Sequence, residues 1–237
     1  MRILAFIPAR GGSKGIPKKN IALLNGIPLV HYTIKAAQAS RYVSDIFLSS
    51  DDPDVIQSCE ALGVKVPYRR PTSLAQDDTS TIDTVLHGLD WWKNNRGYLP
   101  DALLVLQPTS PLRTTEDIDG AIEAFSASST QSLISVHKPE DHPYKYMEAS
   151  GNGWNFLKKA DEGITRRQDF RGEFYVINGA IYIVSTDFLL SKKTFIVENE
   201  TTLYQMPYVN GLDIDEPSHL KLAEFYMNMP PITDSSH

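Results

Sequence analysis

Cysteine occurs once in the 237 residues, at Cys59. That excludes an intramolecular disulfide framework and any metal centre built on several thiolates. Cys59 itself falls in an amphipathic helical pattern and reads as a small buried hydrophobe. Long apolar runs are also missing, and none approaches the roughly 20 residues a membrane span needs. Met1 leads straight into a strand-like segment, so a cleavable signal peptide is not expected. These absences point to a soluble, cytoplasmic protein without a membrane partner. Acidic residues are absent from the first 44 positions: Asp45 is the first, and Arg2, Arg10, Lys14, Lys18, Lys19, Lys35 and Arg41 precede it. The whole chain carries −6, so the part after this +7 segment carries −13. Such a distribution implies a local anion site and no nucleic-acid partner.

The acid-free end holds the most informative stretch. Ile3 to Ile7 is an unbroken apolar run, as in a strand buried on both faces. Pro8 ends it, and Arg10 to Asn20 is too rich in glycine and proline for a helix. Gly11, Gly12 and Gly15 predict backbone with positive φ that approaches a ligand closely. Arg10, Lys14, Lys18 and Lys19 supply fixed cations, and cations beside free backbone N–H groups suit a polyphosphate. The P-loop pattern fails because Ile16-Pro17 follows Gly15, and the dinucleotide fingerprint fails at Arg10. The plainer alternative is a tight strand-to-loop connection with solvated lysines.

The remaining pattern predicts an α/β fold with a mostly parallel twisted sheet and helices on both faces. Helices are expected over Pro28–Ala39, from Asp52-Pro53 to Leu62, and around Ile82, Val85, Leu86 and Leu89. A fourth runs from Thr115 to about Phe125, Thr186 caps a short one, and Leu222, Phe225 and Tyr226 form the apolar face of the last. Asp52 has the position of an N-cap, and Asp51 is undecided. Strands are expected at Ile46–Leu48, Val64–Val66, Ala102–Leu106, Leu133–Val136 and Ala180–Val184. Pro108 and Pro111 stiffen the loop after Leu106, so Gln107, Ser110 and Arg113 should be presented beyond the strand end. Trp91-Trp92 reads as packing. Residues 1–228 form one domain in this reading, with an inserted lobe at about 138–178 and a flexible tail at 229–237. The lobe has a Gly-Asn-Gly turn at 151–153 and dense aromatics, which suggests a core completed in a homodimer.

Asp213 and Asp215 flank the apolar Ile214. In extended backbone both carboxylates face one side while Ile214 faces the core. Such a pair suits Mg²⁺, which takes oxygen ligands and is shared with phosphates. The competing reading makes Asp215 or Glu216 a cap for the last helix. The loop at 10–20 favours the metal, because a triphosphate site calls for one.

Five stretches in order, Ile7-Pro-Ala-Arg-Gly-Gly-Ser-Lys-Gly-Ile-Pro-Lys-Lys-Asn20, Gln107-Pro-Thr-Ser-Pro-Leu-Arg-Thr114, Arg167-Gln168, Asn178-Gly-Ala-Ile-Tyr182 and Asp213-Ile-Asp215, resemble the motifs of the acylneuraminate cytidylyltransferases. The resemblance spans essentially the whole chain and implies a nucleotide-diphospho-sugar transferase-like fold and a CTP-dependent nucleotidyltransferase. On matching positions it implies that Arg10, Gly11, Gly12, Ser13, Lys19 and Asn20 bind the CTP phosphates and ribose. Arg70, Thr79 and Ser80 would hold the cytidine. Gln107, Arg167, Gln168 and Asn178 would hold an acidic nine-carbon (nonulosonic) sugar, with Arg167 forking onto its carboxylate. Asp213 and Asp215 would carry Mg²⁺, and these two with Arg10 and Lys19 would form the catalytic set. Sialic, legionaminic and pseudaminic acids stay open as substrates, because relatives using each look alike over these motifs. KDO is disfavoured by Gly15, Arg167-Gln168 and Asn178-Gly179. A non-catalytic nucleotide-binding module is the alternative of another class, and a degenerate copy should have lost one of Arg10, Lys19, Asp213 or Asp215.

Overall fold

A computed structural model describes residues 1–159 and 172–229. The chain runs β1 (Ile3–Pro8), a two-residue hairpin β2 (Leu23–Leu24) and β3 (Ile27–Pro28), α1 (Leu29–Ala39), β4 (Val43–Ser49), α2 (Pro53–Glu60) and α3 (Thr81–Arg96). It continues through β5 (Ala102–Val105), α4 (Thr115–Ala127), β6 (Ser132–His137), a hairpin β7 (Met147–Ser150) and β8 (Gly153–Phe156), and β9 (Val176–Ser185). It ends with α5 (Thr186–Lys192), β10 (Thr201–Gln205) and α6 (Pro217–Asn228). The main sheet has the order β10-β6-β9-β5-β1-β4 among the described residues. All its neighbours are parallel except β9, which runs antiparallel to both β5 and β6.

The continuous apolar run of β1 follows from cover on both faces. Ile3, Ala5 and Ile7 point into one core layer with α1, α2 and α4, while Leu4 and Phe6 enter another with α3 and α5. β5 divides the same way, Ala102 and Leu104 against Leu103 and Val105. Trp92 is buried in the second layer and Trp91 packs beside it, so the tryptophan pair is packing. A third, smaller cluster joins Ile16, Leu24, Leu29, Leu212, Ile214 and Ala223. It welds the N-terminal loop to the segment before α6 and so positions the site.

Helix starts follow their caps. Asp52 accepts from Asp54 N at 2.7 Å and Val55 N at 3.4 Å, with Pro53 at the first helical position. Thr114 and Asp117 form a reciprocal capping box on α4. The hairpin β7–β8 turns through the Gly-Asn-Gly stretch.

Several expectations are corrected. Val64–Val66 is not a strand: Pro67 lacks a donor, and the chain is tied to the β4 end only further on, at Arg70, whose N–H donates to the Ser50 carbonyl. Ser185, not Thr186, caps α5, because Thr186 Oγ1 donates to the Pro100 carbonyl instead. Phe225 is exposed, and Ala223 supplies the buried centre of the α6 face, with Leu220, Leu222 and Tyr226 around it. Ser110 and Arg113 are not presented to a ligand. Both are buried, and Arg113 donates to the carbonyls of Gln107 and Ala180 and to Thr33 Oγ1. Those acceptors make it an internal brace between α1, β9 and the loop after β5. No helix among the described residues is long and apolar enough to cross a membrane.

Candidate active site

The C-terminal ends of parallel strands are where such sheets place ligands. Here the ends of β1 and β5 open onto a cleft of about 260 Å³. Arg10, Gly12, Ser13, Lys19, Asn20, Arg70, Thr79 and Gln107 line it, so eight of the expected site residues come from four separate stretches to one space. Asp215 reaches the same place through Lys19, whose Nζ donates to Asp215 Oδ1 at 3.0 Å and to the Ile214 carbonyl at 2.8 Å.

The N-terminal loop is held by its own contacts. Asn20 is buried and donates from Nδ2 to the Arg10 carbonyl at 2.7 Å, a brace across the loop. Gly11, Gly12 and Gly15 do not have the positive φ expected of them; in this loop Lys18 takes that conformation, at φ 50°. Gly11 and Gly15 provide room instead. A Cβ on Gly15 would lie 2.1 Å from the Asp215 carbonyl oxygen, and one on Gly11 would lie 2.6 Å from Asp52 Oδ2. The close approach is therefore to the protein's own acidic segments. Asp51 resolves as a loop anchor, its Oδ1 accepting from Gly11 N at 3.0 Å.

Each of the four loop cations has an acidic partner from later in the chain. Arg10 pairs with Asp77 at 2.8 Å, Lys14 with Asp77 at 3.1 Å, Lys18 with Asp54 at 2.5 Å and Lys19 with Asp215 at 3.0 Å. Arg10 also donates to the Ala75 carbonyl. Asp77 lines the cleft and its carboxyl is held below the usual range by Lys14 and then Arg10. Arg70 is buried against Ser49, donating to its Oγ at 3.0 Å and its carbonyl at 2.6 Å, and burial pushes its pKa down to about 10.

At the metal-ligand candidates, Ile214 is fully buried and its N–H bonds the Thr109 carbonyl, leaving Asp213 and Asp215 exposed on either side. Protein crowding around the Asp213 carboxyl pushes its pKa up, opposed by the Thr109 hydroxyl. The Lys19 hydrogen bond pulls Asp215 down. No cluster of three or more histidine, cysteine, aspartate or glutamate side chains suited to a metal occurs among the described residues.

Other expected residues lie elsewhere. Ser80 is the N-cap of α3, accepting from Asp83 N at 3.0 Å and donating to Asp83 Oδ2. Asn178 is buried in a bulge of β9, where its Oδ1 accepts from Ser135 Oγ and Ala180 N. The following Gly179, at φ 73°, brings the backbone under the Gln107 side chain. Arg167 and Gln168 lie outside the described residues. Sequence reasoning missed Thr109 and Asp77. Thr109 stood inside a quoted motif, whereas Asp77 carried no signal because its partners are more than sixty residues away.

The chain matches a family described as cytidylyltransferase over residues 4–207. It is 34% identical to an N-acylneuraminate cytidylyltransferase of Streptococcus agalactiae, over 91% of this chain and 51% of that protein. It therefore spans about half the length of that relative. A CMP-N,N'-diacetyllegionaminic acid synthase of Legionella pneumophila is 33% identical over 97% of each chain. Among solved structures, a CMP:2-keto-3-deoxy-manno-octonic acid synthetase complexed with CTP superposes with a TM-score of 0.68 at 16% identity, covering 96% of this chain and 98% of that one. At that identity the likeness speaks for the fold.

Proposed function

This chain belongs to the cytidylyltransferase family, and from that premise we propose that it transfers CMP from CTP to the anomeric hydroxyl of an acidic nine-carbon sugar. Pyrophosphate is the second product. The observation that carries the proposal is the single cleft gathering Arg10, Ser13, Lys19, Arg70 and Gln107, with Asp215 on Lys19. Names of relatives that act on N-acylneuraminate and on a legionaminic acid support the sugar class at nearly equal identity.

The chemistry is an in-line displacement. The sugar hydroxyl oxygen forms a bond to the α-phosphorus, the bond from phosphorus to the bridging oxygen breaks, and pyrophosphate leaves with that electron pair. The hydroxyl proton passes to solvent or to a carboxylate. Arg10 and Lys19 hold and neutralise the phosphates, and most of the rate enhancement comes from positioning and charge. Arg70, fixed by Ser49, forms the base end of the cleft with Thr79. Gln107 stands at the sugar end over Gly179, and we assign Arg167 to the sugar carboxylate. The donor set of Asp213 and Asp215, two exposed carboxylates flanking the buried Ile214, fits Mg²⁺. When bound, that ion neutralises phosphate charge. Lys19, fixed by the Ile214 carbonyl, orients Asp215 from the other side.

Exposed Tyr146, Met147, Trp154, Phe156 and Leu157 on and beside the β7–β8 hairpin support a homodimer, with a second copy covering them. Light scattering at the mass of a monomer would exclude it. The single buried cysteine and a nucleotide substrate favour a reducing, cytoplasmic setting.

The test of function is pyrophosphate release with CTP and Mg²⁺ against N-acetylneuraminic, legionaminic and pseudaminic acids and KDO. Turnover with one nine-carbon acid confirms the reaction and names the sugar. No release with any of the nine-carbon acids overturns the proposal.

A further inference from the structure

Arg10 and Lys14 present the only charges of the N-terminal loop that converge on one carboxylate among the described residues, that of Asp77. The Arg10 guanidinium is engaged along the whole 75–77 segment, since its other terminal nitrogen donates to the Ala75 carbonyl at 3.3 Å. Lys19 is held separately, by Ile214 and Asp215. Apart from Lys18, which Asp54 holds, the loop cations therefore fall into two electrostatic compartments. One contains Lys19 and faces the carboxylate pair, and the other contains Arg10 and Lys14 and is filled by the protein's own anion.

We propose that Asp77 is a resident competitor for the terminal phosphates: it occupies Arg10 and Lys14 between turnovers, yields them to a triphosphate, and retakes them as pyrophosphate leaves. This rests on reading the cleft as a CTP site. The physical reason is a difference in charge. A triphosphate or pyrophosphate brings several negative charges to two cations and outcompetes a single carboxylate. A nucleotide with one phosphate reaches the Lys19 compartment and leaves Asp77 in place. Asp77 thereby selects for triphosphate over monophosphate and weakens retention of the leaving group. The geometry permits the exchange, because Asp77 and Lys14 are open to water and Arg10 is partly so. Ion pairs at such exposure are individually weak and readily exchanged.

The test is calorimetric titration of the full chain, unaltered and as Asp77→Asn, with CTP, CMP and pyrophosphate in Mg²⁺ buffer. Removing the competitor should tighten CTP and pyrophosphate by roughly three- to tenfold, the effect of losing two exposed pairs. CMP should bind as before, and product inhibition by pyrophosphate should strengthen by the same factor. Asp77→Glu, which keeps the charge, should bind all three like the unaltered chain. Unchanged pyrophosphate affinity in Asp77→Asn overturns the inference. So does an equal change for CMP, or a weakening of all three, which is the signature of a merely structural residue. Failure of the unaltered chain to bind CTP or pyrophosphate would overturn the reading of the cleft itself, and this inference with it.

Discussion

Alanine at position 15 should abolish the proposed CMP transfer while leaving the sheet intact. The added Cβ would meet the Asp215 carbonyl oxygen at 2.1 Å and its carbon at 3.3 Å, where real Cβ contacts essentially never fall under 3.0 Å. Both sides of the clash are backbone, so no side chain can swing aside, and one segment must retreat by about 1 Å. That distance separates Lys19 from the Ile214 carbonyl and Asp215 that now hold it at 2.8 and 3.0 Å. Misplacement on that scale costs about a hundredfold in rate. The strain also falls on the small cluster of Ile16, Leu212 and Ile214, and overpacking there should cost about 1–3 kcal/mol. For a chain of this size that lowers Tm by about 2–12 °C. The assay is kcat/KM for pyrophosphate release beside a thermal melt. Gly12→Ala is the control for the melt, since its Cβ would have nothing within 4 Å and its Tm should stay within about 2 °C. A Gly15→Ala protein with kcat/KM within about threefold of the parent would refute the argument that loop and carboxylate segment are locked together.

Asp215→Asn should reduce turnover at least about a hundredfold with an unchanged melt, because the side chain is exposed; retained activity would remove it from the metal set. Arg113→Met should lower stability by about 2–5 kcal/mol in urea unfolding, as three acceptors, two of them in buried bonds, lose this donor; a loss under about 1 kcal/mol would mean those acceptors find other partners. Burial pushes the Cys59 thiol from 9.0 up to about 12. The unfolded chain therefore loses this proton first, so the stability tied to it is whole below pH 9 and declines as pH rises toward 12. Melts should show that decline weakened in Cys59→Ala, and a thiol reagent near neutral pH should react with the native chain only as fast as it unfolds.

What could be read from the chain was what its neighbours in sequence decide. The β1 run, the Asp52-Pro53 start of α2 and the turn between β7 and β8 are set by residues within a few positions. The Asp213-Ile214-Asp215 alternation is equally local, and Ile214 is buried as its period requires. What escaped depends on distant partners. Arg113 reads as a motif cation aimed at a ligand until Thr33 and Ala180 are seen to enclose it. The glycines of the N-terminal loop look like devices of backbone freedom, and only the packing of Asp52 and Asp215 shows Gly11 and Gly15 to be devices of clearance. The +7 segment likewise looks like a bare anion site, although Asp54, Asp77 and Asp215 return to it from elsewhere.

The reversed direction of β9 has a consequence for how such proteins diversify. Because β9 lies beside β6 and runs back along it, with His137 paired to Val176, the chain leaves the sheet and re-enters it at adjacent points. The two ends of the excursion between them, at His137 and Val176, are thus already joined by strand pairing. Lengthening such an excursion costs little chain entropy, since closure grows only logarithmically with length. The excursion begins where β6 ends, at the same edge of the sheet as the cleft. One contiguous segment can accordingly be extended, trimmed or grafted from a cousin, while strand order and the cleft at the ends of β1 and β5 stay as they are.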